Sequence, residues 1–286
     1  MGRIAQVAAR VAQIQQDNLL DVHNFVERNR IRIMEMEWVD GFDLSRLLTA
    51  ETLSQVHQRV SLKRWSYLNE VVVTRGPQQP RLKPGIAIAV LRDCLAALAA
   101  LHREGIVHGD IKTSNIMLKR TGNAKIIDIG AAFDVERAPA RRTCTPAYAA
   151  PEVLEGSECV PQSDLASLGY VLVEMLSGAP IFPGQQSFGQ LLEAKRTLAQ
   201  RLPHLLPQEV VCNDLLMGLC HGLIAPDPTR RFPSAEAADL VKNGAAAFHR
   251  QLIKNDLASE YDNEIRLWLE ELKDLDEKSD QQSVEP

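Results

Sequence analysis

The sequence predicts an α+β chain with its strands near the N-terminus and a mainly helical remainder. Three patterns carry this. Residues 1–16 set Ile4, Val7, Ala8, Val11 and Ile14 at three-and-four spacing, the period of an amphipathic helix. The runs 19–26 and 30–39 are strand-like, the second with Ile31, Ile33, Met34, Met36 and Trp38 among charged neighbours. Farther on, the apolar runs Ile116–Lys119 and Ala124–Ile127 flank Arg120-Thr121-Gly122-Asn123, the turn chemistry of a β-hairpin.

The remaining elements follow in order. Val39-Asp40-Gly41-Phe42-Asp43-Leu44 reads as a turn entering a helix. Residues 47–81 contain Arg59, Lys63, Arg64, Trp65 and Tyr67, then a Gly76-Pro77-Gln78-Gln79-Pro80 turn. An ordinary helical insertion is a simpler account of that mixture than a nucleic-acid surface. A helix starts behind Pro84 and stops before Gly105, with Ile88, Leu91, Leu95, Leu98 and Leu101 on one face. Segments 170–176 and 215–223 are apolar enough for core helices. Near the C-terminus Tyr261, Ile265, Trp268, Leu269, Leu272 and Leu275 recur at helical spacing among acidic residues, an amphipathic helix expected to pack back on the fold. Residues 278–286 read as a frayed tail.

Composition narrows the class. The 286 residues are 45% apolar and 24% charged, ordinary for a globular protein, and a net charge of −5 argues against a nucleic-acid partner. Cys94, Cys144, Cys159, Cys212 and Cys220 are odd in number and form no Cys-x-x-Cys pair, so reduced thiols and a cytoplasmic location are expected. No membrane is expected either, because the most apolar stretch, 86–101, is interrupted by Arg92 and Asp93.

Chemistry concentrates between Val107 and Gly130. A hairpin returns its far end to its near end, so Asn115 and Asp128 flank one open mouth, where an amide oxygen and a carboxylate can share a hard cation such as Mg²⁺. Just upstream, Asp110 offers a carboxylate to accept a hydroxyl proton and Lys112 an ammonium to neutralise a transferring phosphate.

His108-Gly109-Asp110-Ile111-Lys112-Thr113-Ser114-Asn115 followed by Asp128-Ile129-Gly130 resembles the catalytic loop and metal-binding segment of protein kinases, which carry H-R-D-L-K-x-x-N and D-F-G. Gly109 replaces the arginine that pairs with a phosphorylated activation loop, and Ile129 replaces the phenylalanine. Ala150-Pro151-Glu152 resembles the end of an activation segment, Arg231 stands where the family carries the arginine partner of Glu152, and Asp164 matches the aspartate that braces the catalytic loop.

The resemblance implies a protein-kinase-like fold with a truncated small lobe and hinge over residues 1–39, one helix plus two strands. A mainly helical large lobe would follow over 40–245, with an insertion at about 49–83, then an acidic helical extension over 246–286. It implies ATP and Mg²⁺ as cofactors, with Asp110, Lys112, Asn115 and Asp128 catalytic and Asn115 and Asp128 on the metal. Met36 would gate the adenine pocket, Glu37 and Val39 would face the base, Asp43 would lie near the ribose and Met117 on the pocket floor. Lys112 together with Thr145 in Thr-Pro-x-Tyr-x-Ala-Pro-Glu is the family's Ser/Thr pattern, so the substrate expected is a protein serine or threonine, with a regulatory partner possible at the insertion or the C-terminal helix.

The small lobe is short for this reading. Five strands and a helix need about 40 residues before loops are counted, and 36 residues precede Glu37. They contain neither a glycine-rich run nor a Val-Ala-x-Lys strand, and no glutamate before Glu27. A truncated chain is the expectation, one that binds ATP weakly and transfers phosphate slowly or not at all, with an exposed sheet edge prone to association. The alternative is a pseudokinase acting as a scaffold or regulator; retention of Asp110, Lys112, Asn115 and Asp128 counts against it. A small-molecule phosphotransferase is disfavoured by the Thr145–Glu152 segment.

Overall fold

A computed structural model describes residues 3–29, 31–139, 143–184, 187–254 and 261–282. Helix α1 (Arg3–Val11) buries Val7, Ala8 and Val11, and is shorter than the 1–16 span expected. Strands β1 (Val22–Arg28) and β2 (Ile31–Met36) pair antiparallel with Val22 opposite Met36. Leu19, expected to begin the first strand, instead bridges in parallel to Ile126, and Leu20 N–H donates to Ile126 O at 2.9 Å. The N-terminal helix and two strands are as anticipated.

Residues 41–43, read from sequence as part of a turn, form strand β3 (Gly41–Asp43). A Cβ at Gly41 would lie 2.1 Å from Leu118 O, so glycine permits the close strand approach here. Asp43 then caps helix α2 (Leu44–Leu47), accepting Arg46 N–H at 3.1 Å. Residues 49–83, where an insertion was expected, contain α3 (Ala50–Arg59) and α4 (Leu62–Val71), capped by Thr49 and Ser61. A hairpin follows, β4 (Val73–Arg75) and β5 (Pro80–Leu82), of which sequence reasoning found only the turn.

Helix α5 (Pro84–Arg103) runs through the core. By length and composition it is apolar enough to cross a membrane, contrary to the sequence estimate, but 78% of its apolar window is buried within the fold. Strand β6 (Ile106–Val107) leads into residues 108–115. Strands β7 (Ile116–Lys119) and β8 (Ala124–Ile126) form the expected hairpin with Ile116 opposite Ile126, and β3 joins them in the order β3-β7-β8. β9 (Phe133–Asp134) returns to pair with β6.

The rest is helical: α6 (Pro151–Leu154), α7 (Pro161–Ser177), α8 (Phe188–Arg196), α9 (Leu198–Leu205), α10 (Gln208–Val211), α11 (Asp214–Ile224), α12 (Ala235–Leu240), α13 (Ala245–Lys254) and α14 (Tyr261–Gln282). Helix α7 is buried continuously from Ser163 to Ser177 and packs against α5 and α11. Helix α14 buries Tyr261, Ile265, Trp268, Leu269 and Leu272. Arg64 of α4 reaches Glu271 at 2.7 Å and Glu264 at 3.3 Å, so α14 packs back on the chain, beside α4. It continues to Gln282, past the point where fraying was expected. The side chain of Leu275 and residues 283–286 lie outside the described residues.

Candidate active site

The turn after α5 and strand β6 bring the chain into the loop 108–115, and the first turn of α7 holds that loop in place. Asp164 there is fully buried, and its carboxylate accepts His108 N–H on Oδ2 and Gly109 N–H on Oδ1, each at 2.9 Å. His102 Nε2–H adds a third bond at 2.9 Å. Burial pushes this carboxyl up, but the His102 hydrogen bond and charge and the backbone donors outweigh it and hold Asp164 below the usual carboxylate range. Gly109 sits at φ +78°, a left-handed conformation that glycine adopts without strain.

Asp110 is surrounded by donors. Lys112 Nζ approaches Oδ2 at 2.6 Å; Thr145 donates to Oδ1 through its hydroxyl at 2.7 Å and its N–H at 3.0 Å. Asn115 Nδ2 donates to the Asp110 carbonyl at 2.9 Å. Lys112 Nζ lies 3.2 Å from Thr145 Oγ1, which closes a ring of Asp110, Lys112 and Thr145. Desolvation raises the Asp110 pKa, yet bonds from Lys112 and Thr145 prevail and hold it lowered, so the carboxylate is ionised at neutral pH. The ring joins the catalytic-loop residues to the activation-segment residues across 35 positions of sequence.

At the hairpin mouth Ile127 N–H donates to Asn115 O at 2.9 Å, bringing Asn115 beside the segment that carries Asp128. Asp128 adopts φ +65°, which aspartate tolerates better than most residues, and accepts Gly130 N–H on Oδ1 at 2.9 Å. Its other oxygen has no partner among the described residues and the residue is exposed. Asn115 uses its amide nitrogen on Asp110, which leaves its amide oxygen for a ligand. An amide oxygen and an exposed carboxylate suit Mg²⁺, a hard cation that keeps several waters.

The expected adenine-side residues are only partly gathered. Asp43 and Met117 face each other across the β3–β7 ladder. Asp43 is also committed as a helix cap and accepts a short hydrogen bond from Ser45 Oγ. Glu37 donates its N–H to Asp21 O at 3.0 Å, and its side chain pairs with Lys125, which is 3% exposed. Among the described residues this leaves the Glu37 carbonyl and the Val39 amide to meet a base. Met36, the expected gate, is 40% exposed and Trp38 is 90% exposed, so the end of β2 and the residues after it face solvent.

Glu152 and Arg231 form the pair expected from the sequence. The guanidinium donates bidentately at 2.7 Å to both carboxylate oxygens and gives its remaining donors to the carbonyls of Gln162, Ala225 and Pro226. Sequence reasoning missed Lys195. It is fully buried on α8, donates to Ala147 O at 2.6 Å and lies 4.1 Å from the ring centroids of Tyr170 and Phe182. Its only sequence signal is its place four residues after buried Leu191, on the inward face of α8.

This geometry agrees with comparison to known sequences: residues 5–241 match the profile of the protein kinase domain. The chain belongs to the protein kinase family. It is 32% identical over 182 residues to the serine/threonine-protein kinase PknL of Mycobacterium tuberculosis, covering 62% of this chain and 43% of that protein. It is 27% identical over 241 residues to PrkC of Bacillus subtilis, covering 82% of this chain and 32% of the relative. Mouse PAK 4 is 33% identical over 158 residues, 54% of this chain and 26% of that protein. All three are named serine/threonine-protein kinases, and the kinase chain spans less than half the length of each. Within the family frame, Asp110, Asn115 and Asp128 occupy one loop and one hairpin mouth braced from α7, whereas Met36, Glu37 and Val39 lie on an open strand edge.

Proposed function

We propose that this kinase transfers the γ-phosphoryl group of ATP to serine or threonine hydroxyls of a protein substrate. The ring of Asp110, Lys112 and Thr145 is the observation that carries the reading. An ionised Asp110 accepts the proton of the attacking hydroxyl as the new O–P bond forms and the bond to the β-phosphate bridging oxygen breaks, leaving ADP. Lys112, held 2.6 Å from Asp110, would offset charge on the transferring phosphoryl oxygens with its ammonium. Thr145 fixes the Asp110 carboxylate from the activation-segment side, so the base is oriented before substrate arrives. Asn115 and Asp128 would hold Mg²⁺, which would supply positive charge against the phosphates.

Residues 1–36 contain no lysine and only Gly2 as a glycine, so residues 1–286 alone supply neither a glycine-rich cover nor a lysine grip for the phosphates. Positioning provides most of the catalysis in phosphoryl transfer, and turnover by this chain alone is accordingly slow. Phosphoamino-acid analysis of a peptide-library reaction tests the specificity: phosphoserine and phosphothreonine are expected, and a preponderance of phosphotyrosine overturns the reading. Asp128→Asn is expected to weaken Mg²⁺-dependent nucleotide binding, measured by ATP titration with and without the metal.

A further inference from the structure

The hairpin β4–β5 reaches Tyr148 and Thr113 through a chain of hydrogen bonds. Its turn closes with Gly76 N–H on Gln79 O at 3.1 Å, and the N–H groups of Gln78 and Gln79 both donate to Gly178 O, at 3.1 and 2.9 Å. Gly178 ends α7 at φ +70°, and a Cβ on Gly76 would lie 2.6 Å from the Gly178 Cα, so the two backbones meet with no room for a side chain between them. From this joint Gln79 Nε2 donates to Glu174 Oε1 at 3.2 Å. Glu174 is buried, and its other oxygen accepts the Tyr148 hydroxyl at 2.7 Å. Tyr148 in turn meets Thr113 Oγ1 at 3.1 Å; because the phenol donates to Glu174, the threonine donates to the phenol. Thr113 directly follows Lys112, and Tyr148 lies three residues after Thr145.

We propose that Gln79 is a positioning residue: the insertion turn fixes Glu174 and thereby sets Tyr148 and the activation-segment turn 145–149 against the catalytic loop. This rests on the kinase reading above. A buried carboxylate needs a donor at each oxygen, and Gln79 supplies the one that Tyr148 does not. Without it Glu174 must turn to find a replacement, which competes with Tyr148. Two short backbone bonds then register the change, Tyr148 N–H and Ala149 N–H on Thr145 O at 2.9 and 3.0 Å. Gln79 bonds Glu174, Gly178 and Gly76 and none of Asp110, Lys112, Asn115 or Asp128, so its effect is expected on the protein substrate rather than on ATP.

The test compares Gln79→Leu, which removes the donor, with Gln79→Lys, which restores one as an ammonium facing Glu174. In the 286-residue chain, Gln79→Leu is expected to speed amide hydrogen exchange at Tyr148 and Ala149 and to raise the KM for a peptide substrate roughly tenfold, the scale of one charge-assisted hydrogen bond net of solvent. The KM for ATP stays at the wild-type value. Gln79→Lys recovers both the slow exchange and the peptide KM. Unchanged exchange in Gln79→Leu, or equal impairment in both variants, overturns the proposal. The exchange measurement needs no catalysis, so absence of phosphotransfer in the wild type counts against the kinase reading alone, and the exchange pattern still decides the role of Gln79.

Discussion

Lys195 lies buried where most lysines reach solvent, and its energetics follow from that position. Burial pushes its pKa from 10.5 down to about 7, against a smaller opposing effect of Cys144. Between about pH 7 and 10.5 the unfolded chain holds a proton here that the folded chain has released. Stability from this site therefore rises with pH across that window, with a slope approaching about 1.4 kcal/mol per pH unit. Lys195→Met keeps a flexible apolar chain against Tyr170 and Phe182 and removes the charge. Urea unfolding at pH 7, 8 and 9 is expected to show the variant more stable at pH 7 and its advantage shrinking as pH rises; a pH-independent difference contradicts the account. Glu152 makes the opposite case. Glu152→Gln leaves Arg231 buried without a counter-charge and is expected to cost about 3–5 kcal/mol in the same measurement. The Glu152–Arg231 pair was legible in the sequence because each residue sits in a distinctive motif. Lys195 was not, because one lysine on a short helix reads as solvent-facing until α8 is seen to pack beneath Ala147.

At the level of elements, the hairpin β7–β8 and helix α5 follow directly from apolar spacing and turn residues. The strands β3, β4 and β5 do not. Each has three residues, too few to display an alternation, and each exists because a partner strand lies beside it. The place of α14 was legible only as an apolar face needing cover. What it covers depends on small residues elsewhere: a Cβ at Gly85 would lie 2.2 Å from the Tyr261 ring, and one at Gly122 1.9 Å from Asp262 O. Gly85→Ala is therefore expected to lift the first turn of α14 and expose Trp268, which is 1% exposed in the fold. With Trp38 and Trp65 replaced by phenylalanine, acrylamide quenching of the remaining tryptophan should rise in Gly85→Ala. Equal quenching in both chains would show that α14 accommodates the methyl group without moving.

Over the whole molecule, α5, α7 and α11 form a buried frame, and the candidate catalytic residues hang from it through Asp164, Asn115 and the Asp110–Thr145 ring. The order of the motifs in the sequence carried the family and this arrangement, because each motif residue has a partner fixed by the frame. The short stretch around β1 and β2 was legible as a count of residues before Glu37. The exposure of Met36, Ile33 and Trp38 follows from it, since β1 and β2 form a two-stranded sheet. The strands' commitments were not legible: Glu37 to Lys125 and Asp21, and Asp43 to a helix cap, depend on tertiary neighbours. The most direct test is transfer of labelled phosphate from Mg-ATP to a serine/threonine peptide library over hours, with enzyme in excess, by the wild-type chain and by Asp110→Asn. The account predicts slow transfer by the wild type and a rate lower by roughly 10² or more in the variant, with ATP affinity unchanged. Equal rates in the two chains, or no transfer above background by the wild type, would contradict it.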